Sequence, residues 1–339
     1  MLNIIQQQEL EKQQYRFVGS HSAVKVCGWT KNMLRGKGGC YKYAFYGIRS
    51  HQCLQMTTAM FCANRCTFCW RGTKAPVSKT WYGPVDDPLF IIEHAFREHL
   101  DLLLGFKGHQ NANQRALAES DDIRHVALSL TGEPIAYPLI NAIIDEFHKR
   151  KVSTFLVTNA QYPEKIKDLH PVTQLYLSVD APNKDLLKQI DKPLFPDYWE
   201  RLLDSLKYMA EKAFRTCIRL TIIKGVNDQD LPGYARLIHL GNPDFIEVKG
   251  YMFVGASRQV LSLANMPYHE EVKAFAEQLL PHLQGYELAA EHTPSRVVLL
   301  VKRSLQGKRF INFPKFFQRI AEGKEIRTED ISDTRMQPN

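Results

Sequence analysis

Cys62, Cys66 and Cys69 form a C-x3-C-x2-C motif, which constrains this chain more than any other feature of its sequence. Thiolates are soft ligands that select zinc or iron–sulfur clusters, so three of them this close together predict a metal-binding loop. A structural zinc site usually closes its tetrahedron with a fourth protein ligand, and the loop contains no fourth Cys or His. The motif therefore favours a four-iron cluster with one iron left open over a zinc site or a chance group of buried thiols.

Three more cysteines precede this motif at wide, regular spacing. Cys27, Cys40 and Cys53 form a C-x12-C-x12-C pattern. Such residues are often ordinary small side chains of a core, but their position beside a cluster loop favours a second set of metal ligands. Lys42 follows Cys40 by two residues. An amine that loses its proton near cationic neighbours can attack a ketone, so Lys42 is a candidate for Schiff-base chemistry, although a phosphate contact explains it almost as well.

The composition is that of a globular protein that works in a reducing compartment. The 339 residues suffice for one large or two small α/β domains, and 44% of them are hydrophobic. The first residues lack the apolar stretch of a signal peptide, and the longest apolar runs are too short to span a bilayer. With an odd number of cysteines and no secretion signal, metal ligation is favoured over disulfides. We expect a cytoplasmic, monomeric protein with no membrane partner.

Positive charge is concentrated around the cysteines. The net charge is +8, and residues 12–85 contain twelve Lys and Arg but no Asp or Glu. Aromatic residues such as Trp29, Tyr43, Trp70 and Tyr82 are interleaved with these cations. Basic groups beside exposed aromatics suit phosphate contacts and base stacking, so a nucleic-acid substrate is favoured over a merely basic surface.

From residue 53 onwards, short β-rich segments alternate with longer helical ones. This alternation predicts parallel strands covered by helices. Polar residues recur where the strands end, and the site of a parallel barrel or of a doubly wound sheet lies at that edge. The sequence contains no G-x-G-x-x-G or G-x-x-x-x-G-K-[ST] motif, so it gives no support for a nicotinamide-cofactor site or a P-loop nucleotide site.

The apolar pattern gives bounds for these elements. Strands are predicted over residues 54–61, 125–131, 153–158, 174–179, 215–223, 245–248 and 296–301. Helices are predicted over residues 88–104, 138–150, 198–212 and 269–283. Residues 1–24 are predicted as a polar helix followed by a loop, and residues 105–121 as a loop.

Several motifs together resemble one enzyme family. The cluster loop, with Trp70 and Arg71 after it, resembles that of the radical S-adenosylmethionine (SAM) superfamily. More specific motifs resemble the archaeal tRNA 4-demethylwyosine synthases, which are radical SAM enzymes of wybutosine biosynthesis. These are the second cysteine set, CYKYAFYGI at 40–48, TGEP at 131–134, LVTNA at 156–160, LSVDA at 177–181 and ANMPYHEEV at 264–272. The resemblance covers about residues 20–315.

The resemblance implies a fold and a set of ligands. The fold would be α/β, a partial (βα)6 TIM-like barrel over residues 54–322 with C-terminal additions. A basic N-terminal extension, residues 1–53, would lie over its mouth, and residues 323–339 would be a frayed tail. Two [4Fe-4S] clusters are implied, the first on Cys62, Cys66 and Cys69 and the second on Cys27, Cys40 and Cys53. SAM would contact Gly132, Glu133, Asn159, Ser178 and Asp180, although such residues also serve as turns and helix caps.

The resemblance also implies an activity. The reduced first cluster would split SAM, and the resulting 5′-deoxyadenosyl radical would take hydrogen from the N-methyl group of N1-methylguanosine in the anticodon loop of tRNA(Phe). The carbon radical would then add to pyruvate, and carbon–carbon cleavage and ring closure would give 4-demethylwyosine. Pyruvate would be held by Lys42, by the second cluster or by both. The base would have to be splayed out of its stack to reach a recessed site.

Other functions and an electron source follow from the same features. Eukaryotic members of the family carry a flavodoxin-like domain ahead of this part, so here we expect an external electron donor. A different radical SAM enzyme, such as a glycyl-radical activase, would share the first cysteine loop but would not need Lys42. A metal-stabilised RNA-binding module would share the basic segment but would not need Gly132 and Glu133.

Overall fold

The computed structural model describes residues 2, 4–71, 76–108 and 112–336. Its helices are α1 (Ile4–Lys12), α2 (Gly28–Leu34), α3 (Tyr41–Tyr46), α4 (Pro88–Lys107), α5 (Gln114–Glu119), α6 (Ile140–Lys149), α7 (Pro163–Lys167), α8 (Lys184–Asp191), α9 (Tyr198–Ala210), α10 (Leu231–Gly241), α11 (His269–Leu279) and α12 (Phe313–Ala321). Its strands are β1 (Arg16–Val18), β2 (Ser22–Val24), β3 (Cys53–Thr57), β4 (His125–Leu128), β5 (Ser153–Thr158), β6 (Gln174–Ser178), β7 (Thr216–Ile222), β8 (Phe245–Gly250), β9 (Tyr286–His292), β10 (Val297–Lys302), β11 (Phe310–Ile311) and β12 (Ser332–Asp333). Within these residues, no helix is both long enough and apolar enough to cross a membrane.

Six parallel strands, β3 to β8, form the centre of a ten-stranded sheet. The strand order is β1-β2-β3-β4-β5-β6-β7-β8-β10-β9, with antiparallel pairs at both edges. Helices follow the parallel strands, as crossover connections require. The predicted α/β fold, a partial (βα)6 barrel, is confirmed.

The two faces of the sheet bury different cores. On β7, Ile218, Leu220 and Ile222 belong to the large core beneath the outer helices, whereas Cys217 belongs to a second, interior core. Side chains alternate along a strand, so odd-numbered residues of β7 face the interior of the barrel. Because both faces are covered, the parallel strands are apolar along most of their length.

Helix α3 of the N-terminal extension packs inside the barrel. Tyr41, Phe45 and Tyr46 are buried in the interior core with Phe155 and Phe245. Phe155 and Phe245 lie near the N-terminal ends of their strands, so α3 plugs that end of the barrel. The expected cover over the mouth is therefore wrong for this helix. The domain boundary at residue 53 stays a prediction, and the hairpin of β1 and β2 extends the same sheet.

The C-terminal segment differs from the expected frayed tail. Ile326 and Ile331 are buried, and β12 pairs with β11. The buried guanidinium of Arg215 donates to the carbonyl of Arg309 at 2.8 Å and to the hydroxyl of Ser332. These contacts hold residues 326–333 against the barrel because they satisfy a charge that would otherwise be buried alone.

Candidate active site

The first cysteine loop begins just after β3 and is held by backbone hydrogen bonds from two directions. The amide of Cys62 donates to the carbonyl of Pro76 at 3.2 Å. The amides of Arg65 and Thr67 donate to the carbonyls of Asp191 and Ile190 at 2.9 and 2.8 Å. The end of α8 thus fixes the middle of the loop, which places the thiols at the C-terminal edge of the parallel strands.

The thiols of this loop form one electrostatic group. Burial raises the pKa of Cys62 to about 11, and the pKa of Cys66 is raised by burial, by Asp191 and by the other two thiols of the loop. The Cys62 sulfur accepts hydrogen bonds from the Asn64 amide at 3.4 Å and from Asn159 Nδ2 at 3.2 Å. Three adjacent thiols with amide donors aimed at one sulfur fit a thiolate-bound cluster, whose binding would displace their protons.

Gly132 and Glu133 lie directly beside this loop. Gly132 has φ of +75°, and a Cβ there would lie 1.8 Å from the carbonyl oxygen of Ala59, so only glycine fits. The Glu133 amide donates to that carbonyl at 3.2 Å, and the Glu133 carboxylate accepts from the Asn159 amide at the same distance. Burial raises the pKa of Glu133 to about 7. The predicted SAM residues that follow β4 and β5 therefore meet next to Cys62.

Ser178 and Asp180 extend this row of polar residues onto β6. Ser178 is partly exposed at the end of the strand, and Asp180 is buried. Burial raises the pKa of Asp180 to about 6, and its Oδ1 has no hydrogen-bond partner among the residues that the structure describes. A buried oxygen without a donor fits a ligand that brings an ammonium or hydroxyl group, as SAM does.

The second cysteine set is gathered at the start of β3. Cys27 and Cys40 immediately precede α2 and α3, and Cys53 is the first residue of β3. Burial raises the pKa of Cys40 and of Cys53 to about 12, and each thiol is influenced by the Cys27 thiol. The described residues contain no group of three or more Cys, His, Asp or Glu placed to hold a single metal ion. The thiol of Cys53 is influenced by both other cysteines of the set, so the fold brings the predicted second ligand set together.

Lys42 reaches from α3 into the barrel interior. Its Nζ lies 4.2 Å from the ring centroid of Tyr176 and 5.6 Å from that of Phe155. Positive charge on Lys42 lowers the pKa of both Cys40 and Cys53, which places the amine beside the second cysteine set. The rings of Phe155 and Tyr176 belong to β5 and β6, so the surroundings of the amine come from strands far from Lys42 in the sequence.

Three interior residues near Lys42 carry no recognisable signal in the sequence, namely Glu247, Lys249 and Arg219. Glu247 on β8 is fully buried and accepts hydrogen bonds from the hydroxyls of Tyr41 and Tyr46, both at 2.9 Å. Lys249 donates to the Ser295 carbonyl at 2.9 Å, and burial together with the nearby Arg219 lowers its pKa to about 8. A charged residue within a short strand has no local signal, because only the register shows which side chains share the interior.

The loop after β8 is fastened to the first cysteine loop. The Ala256 amide donates to the Trp70 carbonyl at 2.8 Å. Gly255 has φ of +59°, and a Cβ there would lie 2.3 Å from that same oxygen. This close approach requires glycine and couples the C-terminal third of the chain to the cysteine loop.

Two sequence families match the chain. The Radical SAM superfamily matches residues 56–238, and the Wyosine base formation family matches residues 240–302. The boundary between them falls before β8, so the first match contains the cysteine loop and the second contains Lys249 and the loop fastened to Trp70.

Curated relatives extend over almost all of the chain. The S-adenosyl-L-methionine-dependent tRNA 4-demethylwyosine synthase of Oryza sativa subsp. japonica is 50% identical over 97% of this chain and 52% of its own length. The Homo sapiens protein of the same name, TYW1, is 49% identical over 88% of this chain and 41% of its own length. The chain thus spans about half the length of the curated relatives it matches.

Two solved structures are similar over nearly their whole length. A structure of TYW1 with a lysine–pyruvate adduct bound has a TM-score of 0.82 and 34% identity, covering 92% of this chain and 99% of that one. An archaeal TYW1 has a TM-score of 0.74 and 31% identity, covering 90% of this chain and 98% of that one. The archaeal qualifier of the predicted family is not supported, since plants, vertebrates and fission yeast supply the curated relatives. The chain belongs to the radical SAM superfamily and, within it, to the TYW1 family.

Proposed function

We propose that this chain is a tRNA-modifying lyase that builds 4-demethylwyosine from pyruvate and the N1-methylguanosine of tRNA(Phe). The observation that carries the proposal is the place of Lys42. Its Nζ lies against the ring of Tyr176 inside the barrel, beside the second cysteine set, and donates no hydrogen bond to any described residue. An amine in such a place is available to a small ketone. The lysine–pyruvate adduct in the related TYW1 structure supports this role.

The residues of the site have separate tasks in this reaction. A cluster and SAM, when bound, supply the radical that starts the chemistry. Cys62, Cys66 and Cys69 would hold that cluster, while Glu133 and Asp180 would accept hydrogen bonds from SAM. The Lys42 amine would attack the ketone of pyruvate and release water to form an imine. The rings of Phe155 and Tyr176 lie 5.6 and 4.2 Å from its Nζ, so the amine lies against apolar surface inside the barrel.

Nucleoside analysis tests the proposed function directly. The reconstituted protein is incubated with SAM, a reductant, pyruvate and methylated tRNA, and the digested nucleosides are identified by mass. We expect the tricyclic base only when all four are present, and tRNA with unmethylated guanosine serves as the control. If the complete reaction cleaves SAM but gives no tricyclic base, the chain is a different radical SAM enzyme.

A second [4Fe-4S] cluster on Cys27, Cys40 and Cys53 is part of the proposal. Its support is the mutual influence of the three thiols and their position next to Lys42. Such a cluster, with one iron not bound by cysteine, would lie where pyruvate reaches the amine.

Replacing Cys27, Cys40 and Cys53 together with Ala is expected to halve the bound iron, from about eight to about four per chain if each set holds one four-iron unit. The variant should still cleave SAM slowly, because the first cysteine loop is intact, but it should form no tricyclic base. Iron analysis and nucleoside mass measure the two effects. Unchanged iron, or normal product, would mean that these cysteines only pack the fold.

Residues 12–85, which contain no Asp or Glu, form the acid-free segment, and this segment is the proposed tRNA interface. Of its cations, Arg49 is not available, since it lies 3.7 Å from Glu119, and Lys42 points inward. Of its aromatic residues, Tyr41, Phe45 and Tyr46 are buried, whereas Tyr82 is 39% exposed. The exposed cations of the segment among the described residues are Lys12, Arg16, Arg35, Lys37, Arg65 and Lys79.

The salt dependence of tRNA binding tests this interface. If these six side chains contact phosphates, the logarithm of the affinity should fall against the logarithm of salt with a slope near −4 to −5. The double variant Arg35→Glu, Lys37→Glu should reduce that slope by about 1.5 and leave SAM cleavage intact. Arg236→Glu, an exposed change on α10, is the matched control. An affinity independent of salt would contradict the interface.

The remaining proposals concern the cellular location, the oligomeric state and the electron donor. All seven cysteines are unpaired, which supports a cytoplasmic location because disulfides are rare there. The monomeric state and the external electron donor stay predictions.

A further inference from the structure

Arg219 is a cation on β7, and the packing of its neighbours shows which way its side chain points. Ile218 and Leu220, its neighbours in the strand, pack into the outer core, and Cys217 packs into the interior core. Arg219 therefore points into the barrel. It is partly exposed although both neighbours are fully buried, so part of its side chain borders accessible space inside the barrel.

The Arg219 guanidinium is not committed to any anion of the fold. In the described part of the chain it donates no hydrogen bond and forms no ion pair, although Glu247 and Asp180 both act on it electrostatically. Glu247 is its register partner on β8, but both Glu247 oxygens already accept from Tyr41 and Tyr46. A largely buried guanidinium without a carboxylate partner is costly, and an anionic ligand would offset that cost.

The surroundings of Arg219 also favour a small anion. Lys249 lies close enough for the two cations to influence each other, and Lys42 and Arg219 both act on the thiol of Cys217. Three cations therefore converge on one region of the interior. In a 2-oxo acid the carboxylate is bonded directly to the ketone carbon. A cation that binds the carboxylate must therefore lie near the amine that attacks the ketone.

We infer that Arg219 binds the carboxylate of the 2-oxo acid whose ketone condenses with Lys42, and that it is the residue that selects an acid over an uncharged ketone. This inference rests on the proposed function. A planar guanidinium can bind both oxygens of a carboxylate at once, which orients the acid as well as attracting it. Glu247 accepts hydrogen bonds from two tyrosine hydroxyls and none from this guanidinium, whose N–H groups face the interior without a carboxylate partner among the described residues.

The test compares pyruvate with its uncharged methyl ester. Each ketone is incubated with the reconstituted protein, the imine is reduced with borohydride, and the label on the Lys42 peptide is measured against ketone concentration. For Arg219→Met we expect half-saturating pyruvate to rise about 10- to 100-fold, with little change for the ester, because a charged hydrogen-bonded pair is lost. Arg219→Lys should show a smaller rise, and the exposed Arg236→Met should show none.

The possible results separate the inference from the proposed function. An equal loss of pyruvate and ester trapping in Arg219→Met would overturn the inference, as would unchanged pyruvate trapping. A rise in half-saturating SAM alone would overturn it too, because the guanidinium would then serve the carboxylate of SAM. The ratio of acid to ester is measured within each protein, so a partly unfolded sample does not imitate the effect, and Arg219→Lys carries the test if the Met variant does not fold. If the wild-type protein traps no pyruvate, both proposals fail.

Discussion

Replacing Cys66 with Ala is expected to reduce the release of 5′-deoxyadenosine from SAM to background. The loop offers three thiols, and the end of α8 fixes its middle through the amides of Arg65 and Thr67. Removing one thiol leaves the cluster with too few anchors, and no other described Cys or His belongs to this loop. Deoxyadenosine release and iron content, measured on reconstituted protein, check the prediction.

Cys217→Ala is the matched control for this change. Cys217 is also a buried free thiol, but it lies in β7 and belongs to neither cysteine set. It should keep the wild-type iron content and cleave SAM. Substantial deoxyadenosine release from the Cys66→Ala protein would contradict the assignment of the first cluster to this loop.

Replacing Lys42 with Arg is expected to abolish both trapped pyruvate and the tricyclic base while SAM is still cleaved. Arginine keeps the positive charge but stays protonated at any working pH, so it cannot condense with a ketone. The interior position of Nζ, with the Tyr176 ring 4.2 Å away, makes the loss specific to the amine. Borohydride trapping with labelled pyruvate and nucleoside mass measure the two effects.

Two further observations make the result decisive. Lys37→Arg, an exposed change on the same extension, should trap pyruvate normally. Label found on the peptide that contains Lys249 would assign the imine to that second interior lysine. If Lys42→Arg still makes product but binds tRNA weakly, Lys42 is a phosphate contact, and pyruvate is held by the second cluster alone.

Elements with strong local patterns are predictable from the sequence. β5 has the predicted bounds, residues 153–158, because an apolar run is set off there by polar residues on both sides. The predicted loop over 105–121 contains α5, which is too short for a helical period to show. Its capping signal is Asn113, whose side chain accepts from the Ala116 amide at 3.1 Å. The hairpin of β1 and β2 is missed for the same reason, since each strand has three residues.

The residues of the site show the same contrast between those that have a local sequence signal and those that do not. The cysteines are found by their spacing, and the residues near the first loop by the family motifs that contain them. Arg219, Glu247 and Lys249 are not found, because they lie on two strands and share the interior only through the register of β7 with β8. The roles of these residues depend on contacts between side chains far apart in sequence, such as the hydrogen bond that Tyr41 donates to Glu247.

The open order of the sheet has a mechanical consequence. The order of paired strands ends at β1 on one side and at β9 on the other, so among the residues that the structure describes no ladder of backbone hydrogen bonds joins the two edges. Side chains bridge this seam instead, as where the rings of Trp29 and His292 lie 5.5 Å apart. A closed barrel has a diameter fixed by its strand number and stagger. In this chain, opening of the seam would separate side-chain contacts and leave every strand pair intact, so it would cost less than opening a closed barrel.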